Sequence, residues 1–181
     1  IQSDRDDVPA PPGDLTAMSD EELIAHFEHP NKVVRHSAVQ VLGERLLRSD
    51  NAPLAQTLRD LARDAASPVS LEALWALHWG GGFDLELASA TLGHPNEHVR
   101  RWTIRILGDQ RRLNDELGSQ LTSLAQTEAY VQVRTQLASS AQRFEAQYAL
   151  PIVHQLWQRG EDEADLHEPV LLWWALERHC E

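Results

Sequence analysis

Residues 29–44 read HPNKVVRHSAVQVLGE, and residues 94–109 read HPNEHVRRWTIRILGD. Seven of the sixteen positions are identical (His, Pro, Asn, Val, Arg, Leu and Gly), and most of the apolar positions are kept in kind. Pro30 and Asn31 suit a helix entrance, because proline needs no amide partner in a first turn and asparagine caps free amides. Val34, Ala38, Val41 and Leu42 then fall at i, i+4, i+7 and i+8, one stripe of an amphipathic helix. Upstream, Ser19 and Glu22 have the spacing of a capping box, and Leu23, Ile24 and Phe27 follow at helical spacing, which predicts a short helix over about 20–28. The repeated phrase is therefore the second half of a helix, tight turn, helix unit.

The same register recurs along the chain. Val34-Arg35 with Ala38 and Leu42 reappears as Val69-Ser70 with Ala73 and Leu77, Val99-Arg100 with Thr103 and Leu107, and Val133-Arg134 with Leu137 and Ala141, at steps of 35, 30 and 34 residues. Each second helix follows an apolar-periodic first one: Leu54, Leu58, Leu61 and Ala65; Leu85, Leu87, Ala88 and Leu92; Leu117, Leu121, Leu124 and Ala125. A fifth pair is predicted from Ala146–Gln158, with Leu150, Val153, Leu156 and Trp157, and from Pro169 to about His179. Its PVLLWWALE is apolar nearly all round and is expected to be buried. A period of this size predicts an all-α fold, an α-solenoid of about five antiparallel helix pairs forming a right-handed superhelix. The repeats fall at about 19–49, 53–80, 84–110, 114–142 and 145–181, after an extended linker over 1–18 rich in Asp and Pro. No alternation of period two is long enough for a sheet, and Gly80–Gly82 reads as a flexible turn rather than a phosphate loop.

Composition narrows the function classes. A chain of 181 residues can bury a core without staples, and its one cysteine, Cys180, allows no internal disulfide, leaving the redox compartment open. A formal charge of -12 works against binding DNA or RNA, whose phosphates require clustered Lys and Arg. The opening IQSDRDDVPAPPGD lacks the features of a signal peptide, and no apolar run is long enough for a bilayer, so we expect a soluble segment of something longer, without membrane insertion.

The pattern Pro-Asn-x-x-Val-Arg-x-x-Ala-x-x-x-Leu-Gly resembles the second helix of a HEAT repeat, over about residues 19–142. That resemblance names a fold, not an activity. It implies that Arg35, Arg100 and Arg134 form a structural ladder inside the stack, bonding to neighbouring repeats, and Ser70 departs from it. VSLEALWALHWGGG at 69–82 and DLHEPVLLWWALE at 165–177 resemble segments of planctomycete-type multidomain proteins described as membrane-bound dehydrogenases. That family places a sugar-dehydrogenase-like β-propeller before the HEAT region and a c-type cytochrome domain after it. CxxCH is absent here, so the resemblance implies a helical middle with no cofactor of its own, haem c belonging to a neighbouring domain, in an extracytoplasmic, periplasmic parent.

Candidate sites compete with plainer readings. Arg35, Arg100, Arg101 and Arg105 could form a basic edge; the favoured reading makes the first two inter-repeat hydrogen-bonders and the others solvated. Of Trp75, Trp79, Trp102, Trp157, Trp173 and Trp174, most sit on apolar stripes and are expected in the core. Trp102, one residue before the stripe position Thr103, is the exception. His94 and His98 have i,i+4 spacing, but Pro95 argues against a shared face; His26 and His29 straddle a helix end. A specific metal site is not expected. His167 is expected to cap or pack at the final helix. The acidic run Glu161–Glu168 lacks the spacing of a calcium loop, and Cys180 has no partner for nucleophilic work.

No set of nucleophile, base and metal emerges, so the leading expectation is a non-catalytic scaffold or interaction module, not an enzyme, contacting protein or neighbouring domains of its own chain, or spacing an oxidising domain from an electron acceptor. The rival is a HEAT-like DNA glycosylase or nucleic-acid-binding solenoid, disfavoured by the net charge; a HEAT-like lyase or adaptor acting on a tetrapyrrole or a partner protein is a third reading. The two copies of the phrase differ where His36 and Ser37 become Arg101 and Trp102, which makes His36, Arg101, Trp102 and Arg105 the candidate interaction surface.

Overall fold

The computed structural model describes residues 13–160 and 165–180. Among these there are ten α-helices and two short 3-10 turns and no strand. They fall in two compact units, Ile1–Phe83 and Asp84–Glu181. The linker expected over 1–18 lies outside the described residues up to position 12. Its last part is not extended: Leu15–Ala17 form a 3-10 turn capped by Asp14. Arg45 holds this turn, donating to the carbonyls of Thr16 and Met18 at 3.1 and 2.5 Å and to the Asp20 carboxylate at 2.5 Å.

The first unit contains α1 (Asp20–Ala25), continued by the 3-10 turn His26–Glu28, then α2 (Lys32–Arg48), α3 (Ala52–Arg63) and α4 (Ser70–Trp79). Ser19 and Glu22 close the expected capping box, and Asn31 caps α2 through the Val33 amide. α2 packs on α1 and α4, and α3 on α4. Leu23, Phe27, Ala38, Leu42, Leu58 and Leu77 are essentially inaccessible. The stripe on α2 is displaced from the expected one: Val39 is buried and Val41 only half-buried. The reason is that α4 lies against the side of α2 on which Val39 and Gly43 sit one turn apart. Leu61 is likewise half-buried in place of Ala62, and Ala65 is exposed because α3 ends at Arg63.

The second unit contains α5 (Leu85–Leu92), α6 (Glu97–Gln110), α7 (Asp115–Thr127), α8 (Val131–Ala141), α9 (Ala146–Arg159) and α10 (Glu168–His179). α6 packs on α8 and α8 on α10, while α5 packs on α7 and α7 on α9, and α5 to α6 and α9 to α10 close pairs across these rows. Val99, Ile104, Leu107, Leu121, Leu137 and Ile152 are fully buried.

One corner recurs at four places where a first helix gives way to the second. His29, Asp64, His94 and Glu128 occupy the same place, and each side chain accepts the amide N–H of the residue two further on, at 3.0, 2.9, 3.1 and 3.0 Å. The backbone carbonyl of each accepts from the residue six further on: Arg35 at 2.8 Å, Ser70 at 3.3 Å, Arg100 at 2.7 Å and Arg134 at 3.0 Å. The arginines also reach the next carbonyl, of Pro30, Pro95 and Ala129. Carbonyls at a helix end lack intrahelical partners, and a buried one left unpaired is costly, so this side-chain donor is what permits so abrupt a turn. Ser70 does the same for Asp64 with a hydroxyl, and adds a 2.8 Å bond to the Ser67 carbonyl.

The glycines of the repeated phrase serve close packing. A Cβ on Gly43 would stand 2.8 Å from Cβ of Trp79 on α4, and one on Gly108 would stand 3.0 Å from Cβ of Ser140 on α8.

The fifth pair departs from expectation. In α9 the buried residues are Ala149, Ile152, Val153 and Leu156, whereas Leu150 and Trp157 are exposed. In α10 only Glu168, Leu172 and Ala175 are buried, and Val170, Trp173 and Trp174 are exposed. α8 and α9 cover one side of α10, so an all-round apolar helix still buries a single stripe. None of the six tryptophans is buried, which overturns the expectation that most pack in the core.

Candidate functional site

α6 carries half-buried Arg101 and Trp102 and exposed Arg105, and Arg105 lies four residues from the first and three from the second, on the same side of the helix as both. The Arg105 guanidinium carbon lies 5.0 Å from the centre of the Trp102 ring, a cation–π contact. Facing them, α8 offers Val131, Gln132, Thr135, Gln136 and Ser139, and the entrance and first turns of α10 offer Leu166, Val170, Leu171 and Trp174. Together with Asp165 and His167 these residues line an open groove of about 690 Å³. One wall is fixed from beneath: Gln136 donates to the Ser140 hydroxyl at 3.0 Å, which donates to the Ile104 carbonyl at 3.3 Å, tying α8 to α6.

Neither arginine of the groove has a close carboxylate partner among the described residues. Arg101 has no ion pair among the described residues. Arg105 stands 3.8 Å from Asp109, and Asp109 accepts its close hydrogen bond from Arg143 instead. One oxygen of the Asp165 carboxylate accepts the N–H groups of His167 and Glu168 at 2.8 and 2.9 Å. The arrangement can therefore receive an anionic group at two guanidinium forks and apolar surface against Trp102, Leu166, Val170 and Trp174.

Arg35 and Arg100 are held in their corners. Arg35 also approaches the Glu72 carboxylate of α4 at 3.5 Å, and Arg100 grips Glu128 with both arms. Burial pushes the Glu128 pKa up, but the bonds from Arg100 and the Tyr130 amide and the guanidinium charge outweigh it and hold the carboxyl below its usual range. Arg134 is buried and bonds to the carbonyls of its own corner, Glu128 and Ala129. Of the four candidate surface residues the groove unites Arg101, Trp102 and Arg105. His36 belongs to the first unit, where its ring meets that of Trp75 edge-on at 5.5 Å.

The other candidates resolve individually. His94 is buried with its Nδ1 accepting the Asn96 amide, and His98 is exposed, so the two do not share a face. The His26 and His29 rings meet edge-on at 5.9 Å. His167 does not cap α10 with its side chain; Asp165 does. Residues 161–164 of the acidic run lie outside the described residues, and Cys180 is exposed. Glu72 and Glu128 were not visible as partners in the sequence, although the spacing of His29, Asp64, His94 and Glu128, 35, 30 and 34 residues, repeats that of the register residues and marks the corner.

No protein-family model, curated protein or solved structure matches the chain.

Proposed function

We propose that the chain is a non-catalytic helical-repeat module, a HEAT-like α-solenoid whose role is to hold a protein partner or a neighbouring domain. The recurrence of one corner at four places, with the same two hydrogen bonds made by different side chains, carries this reading: chemistry repeated at a fixed period serves stacking, not a single reaction centre. The groove on α6, α8 and α10, rimmed by tryptophan and arginine, is the surface offered for contact. By the resemblance of residues 69–82 and 165–177, the parent is an extracytoplasmic dehydrogenase and cytochrome c protein, with haem held by a domain other than this one; the flanking gene sequence tests that part, a propeller upstream or a CxxCH downstream being the expected finding.

Two measurements test the module itself. Small-angle scattering should give a distance distribution skewed to long separations, as stacked pairs require, and a symmetric compact profile would rule the solenoid out. A random peptide display library panned on the folded chain should yield binders that shift the Trp102 indole N–H resonance; recovery of none would remove the interaction role.

A further inference from the structure

We propose that the groove between α6, α8 and α10 takes an acidic peptide segment bearing apolar side chains, its carboxylates on Arg101 and Arg105 and its apolar groups against Trp102 and Trp174. The inference rests on the interaction-module reading and specifies its partner. Charge complementarity carries it. The chain as a whole is strongly acidic, at -12, yet in this groove Arg101 has no ion pair among the described residues, and Arg105 has only the distant Asp109 that Arg143 already engages.

Guanidinium groups at i and i+4 of one helix present two planar forks side by side, suited to carboxylates spaced along an extended chain rather than to one compact anion. The apolar side of the groove complements this. Leu166 is 81% and Trp174 49% exposed, so covering them removes apolar surface from water while the charges set orientation and partner choice. On the opposite wall Gln132 is exposed, and side-chain amides both donate and accept, as the backbone of an extended peptide needs. A basic or polyanionic nucleic-acid partner fits less well. The first meets two arginines head-on, and the second must approach a chain with 28 acidic against 16 basic side chains.

The test uses three amidated ten-residue peptides titrated into the full chain and followed by the indole N–H resonances. One alternates Glu or Asp with Leu, one carries Gln or Asn in place of each acid, and one carries Lys. The acidic peptide should saturate the chain with shifts centred on Trp102 and Trp174, bind about tenfold more tightly than the amide version, and weaken as salt is raised. Arg101→Ala and Arg105→Ala should each lower that affinity about three- to tenfold with an unchanged thermal melt, and Arg105→Lys should lose less than Arg105→Ala. Equal or tighter binding of the amide or Lys peptide at the same resonances would overturn the acidic preference while leaving the module intact. Failure of the acidic peptide to bind at all overturns the proposal; only when the display library is also barren does the module reading fall with it.

Discussion

Arg100 and Glu128 form a two-armed ion pair, Nε to Oε2 at 2.8 Å and Nη2 to Oε1 at 2.7 Å, with the two side chains 11% and 2% exposed. The same guanidinium clamps the carbonyls of His94 and Pro95, so one side chain braces the corner before α6 and fastens it to the corner before α8. Removing Arg100 leaves a buried carboxylate with backbone donors alone. Arg100→Ala is expected to cost about 3 kcal/mol of stability, since breaking one side of a buried pair strands the other charge. Urea denaturation checks this, and a loss below ~1 kcal/mol would mean that the pair is solvated in solution.

The same pair gives the chain a pH dependence. Glu128 has a lower pKa folded than its ordinary value of 4.5, so its contribution is full above that value and is lost as pH falls through the folded pKa. Acid unfolding of the wild type should therefore be steeper below about pH 4.5 than that of Glu128→Gln, which has no such proton to take up. Parallel curves of stability against pH for the two proteins would contradict the assignment.

Gly108→Ala places a methyl group 2.9 Å from the Ser140 hydroxyl and 3.0 Å from its Cβ. Alanine favours a helix by up to about 1 kcal/mol over glycine, but overpacking a close helix crossing costs about 1–3 kcal/mol. The net result should be destabilisation by about 1–2 kcal/mol, and an Ala substitution that raised the thermal midpoint would show that α6 and α8 are further apart.

Ser70→Ala removes the donor to the Asp64 and Ser67 carbonyls at a position only 1% exposed. A loss of about 1–2 kcal/mol is expected, the cost of an unmet buried hydrogen bond. Hydrogen exchange offers a local check. Amides at the start of α4 should lose protection before those of α2, and uniform loss would point to a packing effect instead.

In α10, Trp173→Gln should change stability by less than about 0.5 kcal/mol because that ring is 61% exposed, whereas Leu172→Ala should cost about 2–4 kcal/mol. Chemical denaturation of the two variants distinguishes this orientation from one that buries the tryptophan.

Local signals were readable in the amino-acid string, and relations across distance were not. Ser19 with Glu22, Asn31 and Asn96 announce helix starts because the capping side chain sits two or three residues from the amides it serves. Periodicity located the helices, and Val34, Val69, Val99 and Val133 are all buried as the register requires. The tryptophans misled because hydrophobicity tells that a helix is apolar, not which of its sides a neighbour covers. Glu128 was missed because its partner lies 28 residues away, and a carboxylate at that separation looks like any surface acid. The groove had one legible wall, Arg101 and Trp102, where the two phrases differ. Its other walls, on α8 and α10, carry no mark that separates them from ordinary helix surface until packing brings them opposite.

The corner hydrogen bond to the carbonyl just past the first helix is made by a guanidinium three times and by a hydroxyl once. At that position arginine and serine are synonyms. Likewise imidazole and carboxylate are interchangeable at His29, Asp64, His94 and Glu128 as acceptors of the amide two residues on, whatever further bonds each side chain makes. Copies of such a unit can drift apart letter by letter while the grammar of donor and acceptor stays whole. Alignment by identity therefore understates how alike the four corners are, because two of them share their donor and acceptor pattern with the matching phrases but not their letters.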